Sequence, residues 1–149
     1  MNTQNSIIVP CMSCGARNRI PTARMSEHPR CGKCGTPLSL NAPDKPVTVS
    51  DAFFQKEVMQ SSLPVLVDCW APWCGPCRAV GPVMDALAKK YQGRLKVAKL
   101  NLDENPATGS RFAIASVPTL LLVKKGKLVN TLVGVLPQAQ IEAAIRQML

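Results

Sequence analysis

Nothing in this 149-residue sequence is long or apolar enough to cross a bilayer. The longest strongly apolar stretch is VPTLLLV, residues 117–123, and a spanning helix needs about twenty such residues. The opening MNTQNSIIVP also lacks the basic patch and apolar run of a signal peptide, so the expected location is the cytoplasm. A Gly-rich nucleotide loop is missing as well, which excludes a nicotinamide bound by the chain itself. Bases outnumber acids, eighteen to nine, yet no dense basic run is present. Residues 1–45 hold six Lys/Arg against two acids, and residues 46–149 hold twelve against seven. With no aromatic platform beside Arg17, Arg19, Arg24, Arg30 and Lys33, nucleic-acid binding has little support. A solvated surface accounts for the charge.

Cysteine is plentiful by contrast. Seven is an odd number, so complete internal pairing is impossible, and a reducing compartment favours metal ligands or redox catalysts over structural bridges. Three Cys-x-x-Cys pairs stand out, in PCMSCGA, RCGKCGT and APWCGPC. The first two lie in a segment with few large apolar residues. Long apolar runs begin only after NAPDKPV. Pro43 and Pro46 around Asp44 and Lys45 read as a stiff polar connector, so the boundary is placed at 41–46, with domains 1–45 and 46–149.

Cys11, Cys14, Cys31 and Cys34 have the form C-x2-C-x16-C-x2-C, inside the spacing window of a four-cysteine zinc site. Four thiolates fill a tetrahedron and leave no open position for a substrate. Gly15 and Gly35 each follow the second cysteine of a pair, where positive φ lets the chain turn tightly around a metal. A segment this poor in apolar residues needs a metal to fold. His28, near Cys31, is left as a loop residue because the shell is already full.

The second segment alternates strand and helix patterns. SDAFFQKEVMQ offers Ser50 as a helix cap, with Phe53, Phe54 and Val58 on an apolar side. LPVLVDCWA reads as a strand buried on both faces. The next helix carries Val80, Met84, Leu87 and Tyr91 at helical spacing, ends near Gly93, and should kink at Pro82. RLKVAKLNLD is a strand. Asn105 and Pro106 begin a short helix, two strands meet at Lys125-Gly126 as a hairpin, and Ile141, Ile145 and Leu149 align on a closing helix. The expected fold is α/β, a mixed sheet with helices on both faces.

Cys74 and Cys77 follow a buried strand and open a helix, where unpaired N–H groups and the dipole favour negative charge. Cys74 is therefore the candidate nucleophile. Cys77, one turn further and less exposed, can close a disulfide with it. Gly75 lets the backbone bend, and Pro76 is tolerated in a first turn. Cys74 would attack a partner disulfide and Cys77 would resolve the mixed disulfide. Asp68, embedded in PVLVDCWA, is the candidate base for Cys77, since desolvation raises a carboxyl pKa.

VDCWAPWCGPC resembles the active-site segment of the thioredoxin family. Asp68, Trp70, Ala71, Trp73, Cys74, Gly75, Pro76 and Cys77 all fit its pattern, and the resemblance covers residues 47–149. It implies a cis proline at Pro118, with Val117 pairing an extended substrate strand. It also implies Lys99 beside the buried Asp68, Gly134 beside the substrate groove, and Trp73 as a lip that contacts partners. The four-cysteine extension makes the whole chain similar to the bacterial thioredoxin 2 group. The function implied is reduction of protein disulfides by a monomer, re-reduced by an NADPH-dependent thioredoxin reductase. A disulfide oxidase or isomerase and a zinc-dependent interaction module are the alternatives. One position departs from the family: Cys69 stands where a large aromatic is usual, and on the strand it points away from Asp68 and Trp70. It reads as a small buried apolar residue.

Overall fold

Two knuckles with the same hydrogen-bond pattern build the N-terminal part of the computed structural model, which describes residues 6–11, 13–38 and 44–149. Strands β1 (Ser6–Pro10) and β2 (Arg17–Pro21) pair antiparallel. The turn after β1 is closed by Cys11 N–H to the Ala16 carbonyl at 2.8 Å and by Gly15 N–H to the Cys11 carbonyl at 2.9 Å. The second knuckle repeats both bonds with Cys31, Thr36 and Gly35 at 2.8 and 2.9 Å. Gly15 and Gly35 each have φ of 77°, a conformation glycine adopts at no steric cost. Among the described residues of this segment only Val9, Cys11, Ile20 and Cys31 are buried. That is too little apolar surface to hold a fold alone. The expected connector at 41–46 falls partly outside the described residues.

The remainder is a five-stranded mixed sheet. It comprises β3 (Val47–Thr48), β4 (Val65–Trp70), β5 (Lys96–Asn101), β6 (Thr119–Lys124) and β7 (Lys127–Val133), in the order β3-β5-β4-β6-β7. β5 lies parallel to both β3 and β4, while β6 is antiparallel to β4 and β7. Three helices accompany it: α1 (Cys77–Lys90), α2 (Pro106–Arg111) and α3 (Gln138–Met148). Strand alternation divides the core into two layers. Leu66, Leu120 and Leu122 face α1 and α3, meeting Val80, Met84, Leu87, Ile141 and Ile145. Val65, Val67, Cys69, Leu121 and Val123 face the other way, onto Phe54 and Val58. β4 is thus apolar on both sides, and Asp68 is the exception in its middle. The Lys125-Gly126 hairpin forms as its composition predicts, both residues having positive φ, 51° and 76°.

Several expectations need correction. Residues 50–60 do not form one regular helix: a turn leads into a short segment, Gln55–Met59, with wider i→i+5 hydrogen bonding. Phe54 is buried against Phe112, ring centroids 5.5 Å apart, whereas Phe53 is 59% exposed. Adjacent helical residues diverge by about 100°, so only one of the two phenylalanines can face the sheet. By contrast, α1 includes Pro82 as expected, at the loss of one ladder bond, to the Arg78 carbonyl. Leu149 lies beyond α3 and is half-buried, and Met148 takes the inward place.

The Asn105 side chain does not cap α2. It accepts from the Asp51 N–H at 2.8 Å and donates to the Asn101 carbonyl at 2.8 Å. The cap comes from Asp51, more than fifty residues upstream, whose carboxylate accepts from the N–H groups of Ala107 (3.1 Å) and Thr108 (2.9 Å) and from the Thr108 hydroxyl (2.6 Å). Asp51→Ala should lower stability by about 1–2 kcal/mol, measured by urea unfolding. An unchanged midpoint would show that the cap contributes nothing. A second long-range tie joins α1 to α3: buried Glu142 accepts from the Tyr91 hydroxyl at 2.7 Å and pairs with Lys90 at 2.6 Å. These bonds hold the helix that carries Cys77 at its other end.

Candidate active site and metal centre

β4 ends at Trp70, and a six-residue turn leads to α1. Cys74 sits in that turn, and the helix proper begins at Cys77. The turn is tightened by Cys74 N–H to the Ala71 carbonyl, and by Arg78 and Ala79 N–H to the Gly75 and Pro76 carbonyls, each at 3.1 Å. The two cysteines are joined as a disulfide with Cα atoms 5.4 Å apart. In this oxidised form both are buried alike, 5% and 6% exposed, so the expected difference in exposure is not seen. Ala71, Trp70 and Val117 pack around them. The N–H of Cys77 donates to Cys74 Sγ at 3.2 Å. A free donor at the start of a helix thus points at one particular sulfur.

Asp68 is buried at 1% exposure, and its Oδ1 has no hydrogen-bond partner among the described residues. It lines a cavity of about 300 Å³ together with Cys74, Cys77, Arg78, Gly81 and Lys99. Asp68 and Lys99 are direct neighbours in the β4–β5 register. Burial pushes the Asp68 pKa up to about 6, and Lys99 opposes the rise. Unfolded, the group ionises near 3.8, so above that pH the unfolded chain has already released a proton the folded chain still holds. Stability therefore falls as pH rises from about 4 to about 6, by about 3 kcal/mol in total. Asp68→Asn removes this cost. The variant should gain about 3 kcal/mol at pH 8 and nothing near pH 3.5, measured by denaturant unfolding. A gain that is the same at both pH values would exclude the desolvated carboxylate as its source.

The Val117–Pro118 peptide is cis, and Val117 packs on the disulfide cluster. The Gly134 N–H donates to the Pro118 carbonyl at 2.9 Å, with Gly134 φ at 89°. Trp73 is 72% exposed, and its indole Nε1–H donates to Asp103 Oδ1 at 3.2 Å. Sequence reasoning missed Asp103, as well as Arg78 and Gly81 in the cavity wall. For Gly81 the signal was its i+4 spacing from Cys77; Arg78, next to Cys77, carried none. Cys69 is wholly buried in the opposite layer. Burial, aided by Asp68, pushes its thiol up to about 12, so it is an inert core residue.

The four N-terminal thiols converge, with every Sγ within 4.8 Å of the others. Cys11 and Cys34 sulfurs are 3.5 Å apart, and those of Cys14 and Cys31 are 3.6 Å apart. A zinc–sulfur bond of about 2.3 Å implies a tetrahedron edge of about 3.8 Å, so the set fits a tetrahedral thiophilic ion. Backbone N–H groups of Ser13 and Lys33 point at Cys11 and Cys31 sulfurs, both at 3.4 Å, where they would stabilise thiolates that hold a metal. The Cys34 and Lys33 N–H groups, in that order and against burial, lower the Cys31 thiol to about 6. His28 is exposed and lies outside the cluster. The residues form a metal-binding site.

Comparison with known proteins agrees with both sites. Residues 45–147 match the family described as Thioredoxin, and residues 10–36 match one described as Thioredoxin 2, N-terminal. A thioredoxin of Synechocystis sp. is 50% identical over 101 residues, 68% of this chain and 94% of the relative. Thioredoxin 1 of Synechococcus elongatus is 54% identical over 90 residues, 60% and 84% of the two chains. The chloroplastic M-type thioredoxin of Chlamydomonas reinhardtii is 41% identical over 133 residues, 89% and 95%. Among the described residues no helix is long and apolar enough to cross a membrane.

Proposed function

The chain belongs to the thioredoxin family of thiol–disulfide oxidoreductases, and we propose that Cys74 and Cys77 reduce disulfides in partner proteins and are themselves re-reduced by an NADPH-dependent thioredoxin reductase. The observation that carries this reading is the Cys77 N–H aimed at Cys74 Sγ. A donor fixed there stabilises a Cys74 thiolate before any partner arrives.

In the reduced protein the Cys74 thiolate attacks one sulfur of the partner's disulfide. The partner S–S bond breaks, its second sulfur leaves as thiolate, and a mixed disulfide forms. Cys77 then gives its proton to Asp68 across the shared cavity and attacks Cys74 Sγ. The partner's remaining sulfur leaves as a thiolate, so the partner gains two electrons and the protein holds the Cys74–Cys77 disulfide. Asp68 serves as base because its burial brings its pKa to about 6, close enough to neutrality to exchange protons in both directions. Lys99 stabilises the carboxylate form of Asp68 that accepts the proton. Trp73, Val117, Pro118 and Gly134 border the partner's binding groove, with the Val117 backbone able to pair an extended strand.

The division into a ribbon, 1–45, and a catalytic domain, 46–149, is part of the same reading, and zinc is the ion proposed for the four thiolates. When bound, it closes the knuckles and supplies folding free energy; none of the redox steps uses it. The test is insulin reduction followed by NADPH oxidation with thioredoxin reductase. Turnover should depend on both reductase and protein. Disulfide reduction by dithiothreitol alone, with no NADPH consumed in the coupled assay, would remove the proposed partner.

A further inference from the structure

Lys99 borders more than Asp68. It also lines an outer groove with Asp44, Lys45, Pro46, Asp85, Ala86 and Lys89, and a third depression that contains Glu104. The ion pairs among the described residues are Arg24–Glu27, Lys90–Glu142 and Lys96–Glu57. The Lys99 ammonium is therefore committed to none of the carboxylates around it, although a buried, unpartnered carboxylate oxygen lies on its inner side. Asp68 meets few other charges. Cys77 and Arg78 face its cavity from α1, Cys74 from the preceding turn and Lys99 from β5. β6 sets Leu120 against it.

One helix stripe connects the two spaces. Cys77 and Gly81 line the inner cavity, and Asp85, four residues beyond Gly81, lines the outer groove. Residues spaced by four share a helix face, so Asp85 follows the cavity wall outward along α1. Gly81 has no Cβ, and one built there would meet nothing within 4 Å. The cavity is thus unobstructed beside Gly81, and Lys99 borders both the cavity and the groove. Asp44 and Glu104 border Lys99 from less constrained places, one on the connector and one in a turn, whereas Asp85 is held by the helix that carries Cys77. Lys89, one turn beyond Asp85, competes for its carboxylate.

We propose that Asp85 is a positioning residue: its carboxylate draws the uncommitted Lys99 ammonium toward the outer groove and thereby sets how readily Asp68 takes and releases the proton of Cys77. This rests on the reading of Asp68 as the base. An ammonium has one position at a time, and what it gives to the outer carboxylate is withdrawn from the inner one. Removing the outer charge lets Lys99 turn inward, where it favours the Asp68 anion.

The experiment follows the Asp68 side-chain carboxyl carbon by NMR through a pH titration of the full-length oxidised protein. Asp85→Asn should lower the Asp68 midpoint by up to about 1 pH unit, and Asp85→Glu should leave it near the native value. In a Lys99→Met background the Asp85→Asn shift should vanish. An equal shift with and without Lys99 would mean that Asp85 acts directly by its field, and no shift in either background would mean that it does not act; either result overturns the proposal. The release rate of a mixed disulfide, measured on the same variants, separates the two readings. If the midpoints form the expected cycle but the rates ignore them, Asp85 positions Lys99 and Asp68 is not the base.

Discussion

Cys74→Ser should reduce insulin turnover by about three orders of magnitude or more, to the level of uncatalysed exchange. A serine hydroxyl at this position has the same donor, the Cys77 N–H that lies 3.2 Å from Cys74 Sγ, but it does not ionise near neutral pH and cannot form a disulfide. Cys77→Ser should fail differently. Its Cys74 still attacks, but nothing displaces the partner, so mixed disulfides accumulate and show as higher-mass bands on a non-reducing gel. The pair of results assigns the order of events. Adducts that formed on Cys74→Ser and not on Cys77→Ser would reverse the roles of the two cysteines. Turnover that survived Cys74→Ser would remove the mechanism altogether.

The second large effect concerns the metal. Structural zinc in small four-ligand peptides contributes about 10–16 kcal/mol at neutral pH, more than the four buried residues among those described in this ribbon can supply. Cys31→Ser removes a ligand that is itself 4% exposed. The variant should lose stoichiometric zinc, and amide protection across β1 and β2 should disappear in hydrogen exchange. The five-stranded sheet should keep its protection, because its two core layers contain none of the described residues before Val47. Insulin turnover should stay within a few-fold of native, and removal of residues 1–45 should give the same result. Collapse of turnover in both variants would show that catalyst and ribbon are not separable. Protection retained without metal would show that the ribbon folds by other means.

The contrast between Cys74 and Cys69 shows why spacing told more than residue type. Both are cysteines near the end of β4, and both are buried. Cys74 has a helix-start N–H aimed at it, whereas Cys69 lies among Val67, Leu100 and Leu121 with its thiol pushed up to about 12. Which of the two faces the helix start follows from strand alternation and the Cys-x-x-Cys interval, both readable along the chain.

By itself the sequence determined whatever depends on neighbours a few residues apart. Knuckles with glycine at 15 and 35, the buried run of β4, the Lys125-Gly126 turn and the dithiol at the start of α1 all belong to this class, because periodicity and turn chemistry act within one or two turns of chain. Only the tertiary structure decided that Asp51 caps α2, that Glu142 satisfies Tyr91 and Lys90, that Asp103 holds Trp73, and that Phe54 rather than Phe53 enters the core. The same holds for Lys99, which sits between a buried carboxylate and exposed ones. These contacts join residues fourteen to fifty-seven positions apart, or choose between adjacent residues of equal hydrophobicity. No local preference encodes such choices: they depend on which surfaces remain to be covered, and which polar atoms still need partners, once the sheet has closed.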